Sequence, residues 1–215
     1  MLKRIRKDTA FVKERQNHKF IISRGAVYRR FFIINMKVIV GLGNPGPEYE
    51  KTRHNVGFLA LDFLFPEAKW KEEKRFEALV AEYPGGLLIK PQTYMNNSGR
   101  AVRKVLDYYG LIPKNFGLLA KKDSDLSDVL TVIQDDLDLS FGVCKIATDS
   151  GSAGHNGIRS LISHLKTQKF KRARLGVKNE LFRNPIPADK FVLGRFNAEE
   201  KEKLPNIFET IKKEI

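Results

Sequence analysis

From Met36 onward, the chain alternates between short apolar runs and longer stretches whose apolar positions recur every three or four residues. The apolar runs are bounded by Gly, Pro or Asp, which is typical of buried strands. Two of them flank Pro84-Gly85-Gly86, a turn signal, and predict a hairpin. The predicted strands lie in "KVIVGLG", "FEALVAEY", "GLLIKP", "LTVIQDD", "GVCKIAT" and "RARLGV".

The longer stretches carry an apolar stripe along one face, as amphipathic helices do. Ser98 is suited to cap the second helix and Gly110 to end it. The polar, irregular segment 114–128 is expected to be a surface loop. Strands that alternate with helices, with one hairpin among them, predict the α/β class with a mixed sheet flanked by helices. The predicted stripes cover residues 56–64, 101–109, 158–165 and 207–211.

Length and composition limit the possible classes of protein. A chain of 215 residues fits one domain with a substantial core. No apolar run approaches the roughly 18 residues of a membrane-spanning helix, so no membrane segment is predicted. A single cysteine, Cys144, excludes an internal disulfide and a cysteine-built zinc site, and it fits a reducing compartment. The net charge of +14 favours a polyanionic partner, nucleic acid first.

The basic charge is concentrated at the N-terminus. Residues 1–35 hold ten Lys or Arg and two acidic residues, which is more than half of the net charge. Three interpretations stay open: a start codon upstream of the natural one at Met36, a disordered basic arm that touches RNA, and a transit peptide, which the single Ser23 disfavours. We therefore treat 1–35 as a basic extension, disordered or mis-assigned, and 36–215 as the folded domain.

The segment "GLGNPG", which ends at Gly46, fits the G-x-G-x-x-G pattern after a strand. A dinucleotide-binding turn also needs a helix that opens within the motif and an acidic residue about 20 residues further on. Here Pro45 lies within the motif and Pro47 directly after it, and the helical stripe starts only near Val56. The next predicted strand ends much later, at Glu82. Dinucleotide binding is therefore disfavoured.

Polar side chains gather at the ends of several predicted elements. Asn44 follows the first strand, His54 precedes the first helix, and Asn96 lies between a strand and a helix. Asp135 ends another strand, and Asn156 opens a helix after a glycine-rich turn. Each has an ordinary structural explanation, such as a helix cap or a solvated turn. Together they place amides, a histidine and a carboxylate where ligand sites form in α/β sheets.

Four motifs occur in order along the chain: "GLGNPGPEYEKTRHNVGF", "KPQTYMNNSGRAV", "DDLDL" and "GHNGIRSL". With them the chain resembles the bacterial-type peptidyl-tRNA hydrolases, from Met36 to about Phe196. The resemblance implies a single α/β domain around a twisted mixed sheet, a monomer and a cytoplasmic location. It also implies cleavage of the ester between a peptide and the 3′-terminal ribose of tRNA, without cofactor or metal. By similarity, His54 is the catalytic base and Asp135 holds it. The residues implied at the substrate are Asn44, Asn96 and Asn156, which position substrate or water, and Tyr49 and Met95, which line the cleft.

The implied chemistry is physically reasonable. A neutral imidazole is a suitable base for water at neutral pH, a carboxylate on its other nitrogen fixes the tautomer, and asparagine amides can stabilise an oxyanion. A covalent mechanism through Cys144 is disfavoured, because that residue lies in a strand-like run where free cysteine is commonly a buried apolar residue. Basic residues near "GHNG", Lys145 and Arg174 among them, are suited to contact tRNA phosphates. A solvated basic face is the alternative.

The sequence departs from the family pattern at several places. Ala147 stands where the family usually has a second basic residue, and Ala153 replaces a glycine of the loop. "KNELFRNP" replaces a glycine-proline stretch, and the loop at 115–128 looks longer than usual. These changes bear on phosphate binding more than on ester chemistry. The alternative that remains is a non-catalytic RNA-binding relative, and the retained His54 and Asp135 argue against it.

Overall fold

The computed structural model describes residues 36–115, 119–180, 182 and 186–215. The predicted basic extension, 1–35, lies outside the described residues. The described chain is built on a seven-stranded mixed sheet with the order β2-β3-β4-β1-β7-β9-β8. These strands are β1 (Lys37–Gly41), β2 (Lys71–Glu73), β3 (Ala78–Tyr83), β4 (Gly86–Pro91), β7 (Leu130–Ser140), β8 (Cys144–Ala147) and β9 (Lys171–Lys178).

The four central strands, β4, β1, β7 and β9, run parallel, and β2, β3 and β8 pair antiparallel at the two sides. Tyr83 pairs with Gly86 across the tight turn, so the predicted hairpin is confirmed. The prediction of an α/β domain with a mixed sheet is confirmed as well.

Five α-helices are described: α1 (Val56–Leu64), α2 (Ser98–Tyr108), α3 (Asn156–Leu165), α4 (Ala188–Val192) and α5 (Ala198–Lys212). Two 3-10 turns, Arg53–Asn55 and Met95–Asn97, lead directly into α1 and α2. The four predicted helices are confirmed, and the short α4 was not predicted. In the described part of the chain, no helix is long and apolar enough to cross a bilayer.

Two local predictions were wrong. Ser98 does not cap α2, because the 3-10 turn runs straight into the helix and the Ser98 hydroxyl donates back to the Tyr94 carbonyl at 3.4 Å. The segment 114–128 is not simply a surface loop. It contains a two-stranded hairpin of β5 (Lys114–Asn115) and β6 (Leu119–Ala120), and Leu126 is buried with its amide bonded to the Lys169 carbonyl.

The glycine-rich segment after β1 serves close packing of α1 on the sheet. A Cβ added to Gly41 would lie 2.3 Å from the Gly57 carbonyl oxygen, and one added to Gly57 would lie 2.4 Å from the Leu42 nitrogen. Such distances exclude any side chain at either position. Helix α1 therefore begins directly over the end of β1, and the turn that carries His54 lies at the carboxyl ends of the parallel strands.

Candidate active site

His54 and Asp135 form the centre of the site. The Nδ1 atom of His54 lies 2.9 Å from Oδ1 of Asp135, although the two residues come from different elements. Asp135 lies in β7 and is 2% exposed, whereas the His54 side chain is 12% exposed. Because an ionised carboxylate only accepts hydrogen bonds, Nδ1 carries the proton. The Nε2 atom of His54 is then left with a free lone pair.

His54 and Asp135 each shift the pKa of the other so that the charged form of the partner is stabilised. Burial lowers the pKa of His54, but the negative charge and the hydrogen bond of Asp135 outweigh it, so the pKa lies above its ordinary value. Burial alone would raise the pKa of Asp135, yet the positive charge of His54 and the hydrogen bonds from His54 and His155 hold that pKa well below its usual range. Asp135 is therefore ionised at neutral pH and stabilises the protonated form of His54.

A second histidine, which the sequence reasoning did not assign to the site, contacts the same carboxylate. The Nε2 atom of His155 lies 3.0 Å from Oδ1 of Asp135. Its Nδ1 atom accepts the amides of Gly157 and Ile158 at 3.1 and 3.3 Å and so caps helix α3. A nitrogen that accepts amide protons is unprotonated, so Nε2 carries the proton and donates it to Asp135. The position of His155 just before a helix was the only sequence signal for this role.

The ligand atoms of His54, Asp135 and His155 lie within 4.8 Å of one another, a spacing that can also suit a metal ion. The hydrogen bonds argue against that use. An ion would have to displace the N–H protons of both rings, and His155 would then either lose its helix cap or become an anionic imidazolate. The donor chemistry of these residues fits a hydrogen-bonded His–Asp–His arrangement rather than a metal centre.

Asn44 joins the loop after β1 to the loop before α2. Its Oδ1 accepts the Met95 amide at 2.7 Å. Its backbone exchanges two hydrogen bonds of 2.9 Å with the side chain of Asn55, a buried residue that the sequence reasoning missed. Because Met95 uses the side-chain oxygen, only the Nδ2 group of Asn44 is left to face a ligand. The result is an amide donor of fixed orientation on a residue that lines the same cleft as His54.

These residues open onto a cleft of about 600 Å³. Asn96 and Asn156 are exposed on its walls, and Met95 is a buried part of its floor. Tyr49 does not line the cleft directly, but its ring packs edge-on against Tyr94 at 6.3 Å, and Tyr94 lines it. The lining residues are Asn44, His54, Tyr94, Met95, Asn96, Asp135, Asp136, Leu137, Ala153, Gly154, His155, Asn156, Ala188, Asp189, Val192 and Leu193.

The basic candidates lie outside that lining. Lys145 is exposed and faces Arg174 across the β8–β9 pair. The Arg174 Nε donates to Asp136 at 2.6 Å, and its Nη2 lies 3.9 Å from Asp138, so acidic neighbours occupy part of its guanidinium. Arg172, two residues before Arg174 on β9, is buried and donates to backbone carbonyls of the loop before α3.

The Cys144 thiol, the alternative nucleophile, lies outside the candidate active site. Cys144 is half-buried on β8 and is not among the residues that line the cleft. Burial raises the pKa of its thiol, which lowers the thiolate fraction at neutral pH. The structure therefore offers an imidazole, and not a thiol, at the open cleft.

This α/β domain has a histidine at an open cleft, and a buried carboxylate orients that histidine. Such an arrangement is typical of hydrolases that use a general base. The comparison with known proteins is more specific. The chain belongs to the peptidyl-tRNA hydrolase family, whose model matches residues 38–215. The resemblance predicted from the four motifs is thereby confirmed, and so is the prediction of an enzyme of this family.

Curated relatives and solved structures agree with that family. The chain is 42% identical over 183 residues to a peptidyl-tRNA hydrolase of Gloeobacter violaceus, and the aligned region covers 82% of this chain and 84% of the relative. It is 40% identical over 185 residues to one of Bacillus thuringiensis, covering 83% and 88%. A crystal structure of peptidyl-tRNA hydrolase from Acinetobacter baumannii matches with a TM-score of 0.68 and 29% identity, over 83% of this chain and 86% of that one.

Proposed function

We propose that this protein hydrolyses the ester between a peptidyl group and the 3′-terminal ribose of tRNA, with His54 as the general base. The observation that carries the proposal is the hydrogen bond from His54 Nδ1 to the buried Asp135, because it leaves Nε2 as the proton acceptor at the cleft. The family relatives supply the substrate class, since they are named peptidyl-tRNA hydrolases.

In the proposed reaction, His54 Nε2 takes a proton from a water molecule as that water attacks the ester carbonyl. The negative charge that develops on the carbonyl oxygen is stabilised by amide donors, with the oriented Nδ2 group of Asn44 as the first candidate and Asn96 as the second. The imidazolium then gives its proton to the departing 3′ oxygen of the ribose. Asp135 stays ionised throughout and stabilises the imidazolium.

The remaining contacts belong to the two ends of the substrate. Asn156, at the exposed start of α3, and Tyr49, through Tyr94, are proposed to contact the acceptor end and the adjoining peptide. Lys145 and Arg174 are proposed to contact phosphates, which give affinity without sequence readout. We propose further that the enzyme acts as a monomer in the cytoplasm, as the family resemblance implies.

Release of the N-acetyl-aminoacyl group from N-acetyl-aminoacyl-tRNA tests this function. The full chain and a chain that starts at Met36 are compared with His54→Ala in each. We expect release by both parent chains and at least a hundredfold slower release by the variants, with tRNA binding retained. Binding of tRNA without release by either parent chain would instead indicate a non-catalytic RNA-binding relative.

A further inference from the structure

Arg53, the residue directly before His54, is a buried cation whose side-chain polar and ring partners lie on one segment of the chain. It is 4% exposed, its Nη2 lies 2.8 Å from Oε2 of Glu200, and its Nη1 donates to the Arg195 carbonyl at 2.8 Å. The guanidinium also lies 4.6 Å from the ring centre of Phe191 and 5.5 Å from that of Phe196. Its partners therefore come from the stretch that runs from α4 to the first turn of α5.

Glu200 is the acceptor that organises this stretch. Its Oε2 also accepts the Asn197 amide at 2.8 Å, and the Asn197 side chain accepts the Glu200 amide at 2.8 Å, which forms a capping box at the start of α5. Its other oxygen accepts the side-chain amide of Asn179, which follows β9. One buried carboxylate thus connects the turn before His54, the end of β9 and helix α5.

The backbone reinforces the same connection. Thr52 pairs with Arg195 in an isolated β-bridge, and the Arg53 amide donates to the Gly194 carbonyl at 3.0 Å. His54 itself lies in a three-residue 3-10 turn whose N-cap residue, Thr52, donates its hydroxyl back to the Tyr49 carbonyl and does not cap the amides of the turn. So short a turn has little stability of its own. The segment 194–200 holds the N-terminal side of this turn, and the hydrogen bonds between Asn55 and Asn44 hold the other side.

We propose that the Arg53–Glu200 pair is a positioning pair for His54, which fixes the 3-10 turn so that the imidazole meets Asp135 and presents Nε2 to the cleft. Helix α5, remote in sequence from the base, is then part of what orients it. The segment 194–200 directly follows α4, whose Val192 lines the cleft. The same segment therefore contacts both the turn that carries His54 and the helix that forms one wall of the cleft. This inference rests on the proposed function.

The test uses Glu200→Gln, with Asn197→Ala as a matched control. Glutamine keeps the size of the side chain and an oxygen for the capping box, but it removes the charge that pairs with Arg53. Asn197→Ala removes the helix cap and leaves the Arg53–Glu200 pair intact. Both variants are expected to lower the thermal midpoint, so stability alone does not separate a positioning role from a structural one.

The two variants should differ in catalysis. Glu200→Gln is expected to lower kcat about tenfold to a hundredfold with KM within about twofold, because a displacement of about 1 Å at the base is costly to rate. Asn197→Ala is expected to keep kcat within about twofold of the parent. Equal kcat values for the two variants, at whatever thermal midpoint, would overturn the proposal.

A second readout does not depend on activity. The Nδ1 proton of His54, held by Asp135, should give a downfield NMR signal in the parent chain that disappears in His54→Ala. Asp135 from β7 and His155 from the loop before α3 are the titratable groups that face this ring. We expect the signal to be lost or shifted in Glu200→Gln and kept in Asn197→Ala. A signal unchanged in Glu200→Gln would overturn the positioning role, even for a parent chain that failed to hydrolyse peptidyl-tRNA.

Discussion

His155 donates a hydrogen bond to the same oxygen of Asp135 that holds His54, at 3.0 Å from Nε2. The other nitrogen of the His155 ring caps α3, so this ring cannot turn over without giving up two amide contacts. A neutral His155 therefore presents a fixed donor to Asp135. Helix α3 thereby helps to set the position of the carboxylate that orients the base.

The first prediction separates the two roles of His155. His155→Asn keeps a good capping residue but is too short to reach Asp135, whereas His155→Ala loses both functions. We expect kcat to fall about tenfold in both variants, because Asp135 loses one charge-assisted hydrogen bond. Thermal unfolding should show a free energy of unfolding about 1 kcal/mol lower for the alanine variant than for the asparagine variant, because only alanine removes the helix cap. Parental kcat in both would mean that Asp135 needs His54 alone.

A second prediction concerns the phosphate contacts. Asp136 occupies the Nε of Arg174, so Asp136→Asn should free this cation for tRNA while Asn keeps an oxygen for the Asp138 amide. We expect tighter tRNA binding and a slope of log K against log salt that is steeper by about one. Asp138→Asn, whose carboxylate is 3.9 Å from Arg174 and exposed, is the control and should have a smaller effect. Identical salt slopes for all three proteins would exclude Arg174 as a phosphate contact.

The loop before α3 gives a third prediction. A Cβ on either Gly151 or Gly154 would meet no atom within 4 Å, but only Gly154 has a left-handed backbone, with φ +80°. Gly154→Ala should therefore lower the free energy of unfolding by about 1 kcal/mol through the backbone alone. Gly151→Ala should be neutral or slightly stabilising. Denaturant unfolding measures both, and an equal loss in the two variants would contradict the loop geometry.

The order of strands and helices could be predicted because periodicity and turn residues are local signals. The hairpin at Pro84-Gly85-Gly86 and the stripe of α1 are examples, and the structure confirms both. The five-residue α4 could not be predicted, since it is too short to show a period. Ser98 misled because a serine before a helix usually caps it, whereas here the preceding 3-10 turn already supplies the backbone geometry.

The cleft could be predicted in outline for a different reason. Polar residues at the carboxyl ends of parallel strands converge whatever the details of packing, so Asn44, Asn96 and Asp135 lie on one cleft. The partners of charged residues could not be predicted, because charge counting does not show which acid faces which base. The pairs Arg174–Asp136 and Arg53–Glu200 depend on strand register and on the docking of α5, which only the folded chain specifies.

The central claim is that Asp135 orients the base His54 and raises its pKa. The most direct test is the pH dependence of single-turnover ester hydrolysis in the parent chain and in Asp135→Asn. In the parent, the rate should rise with pH through the pKa of His54, which lies above the ordinary imidazole value of 6.5. In Asp135→Asn, we expect a plateau at least about a hundredfold lower and a rise that moves to lower pH, because the charge that raises this pKa is gone. A variant with the parental plateau and the parental rise would contradict the account.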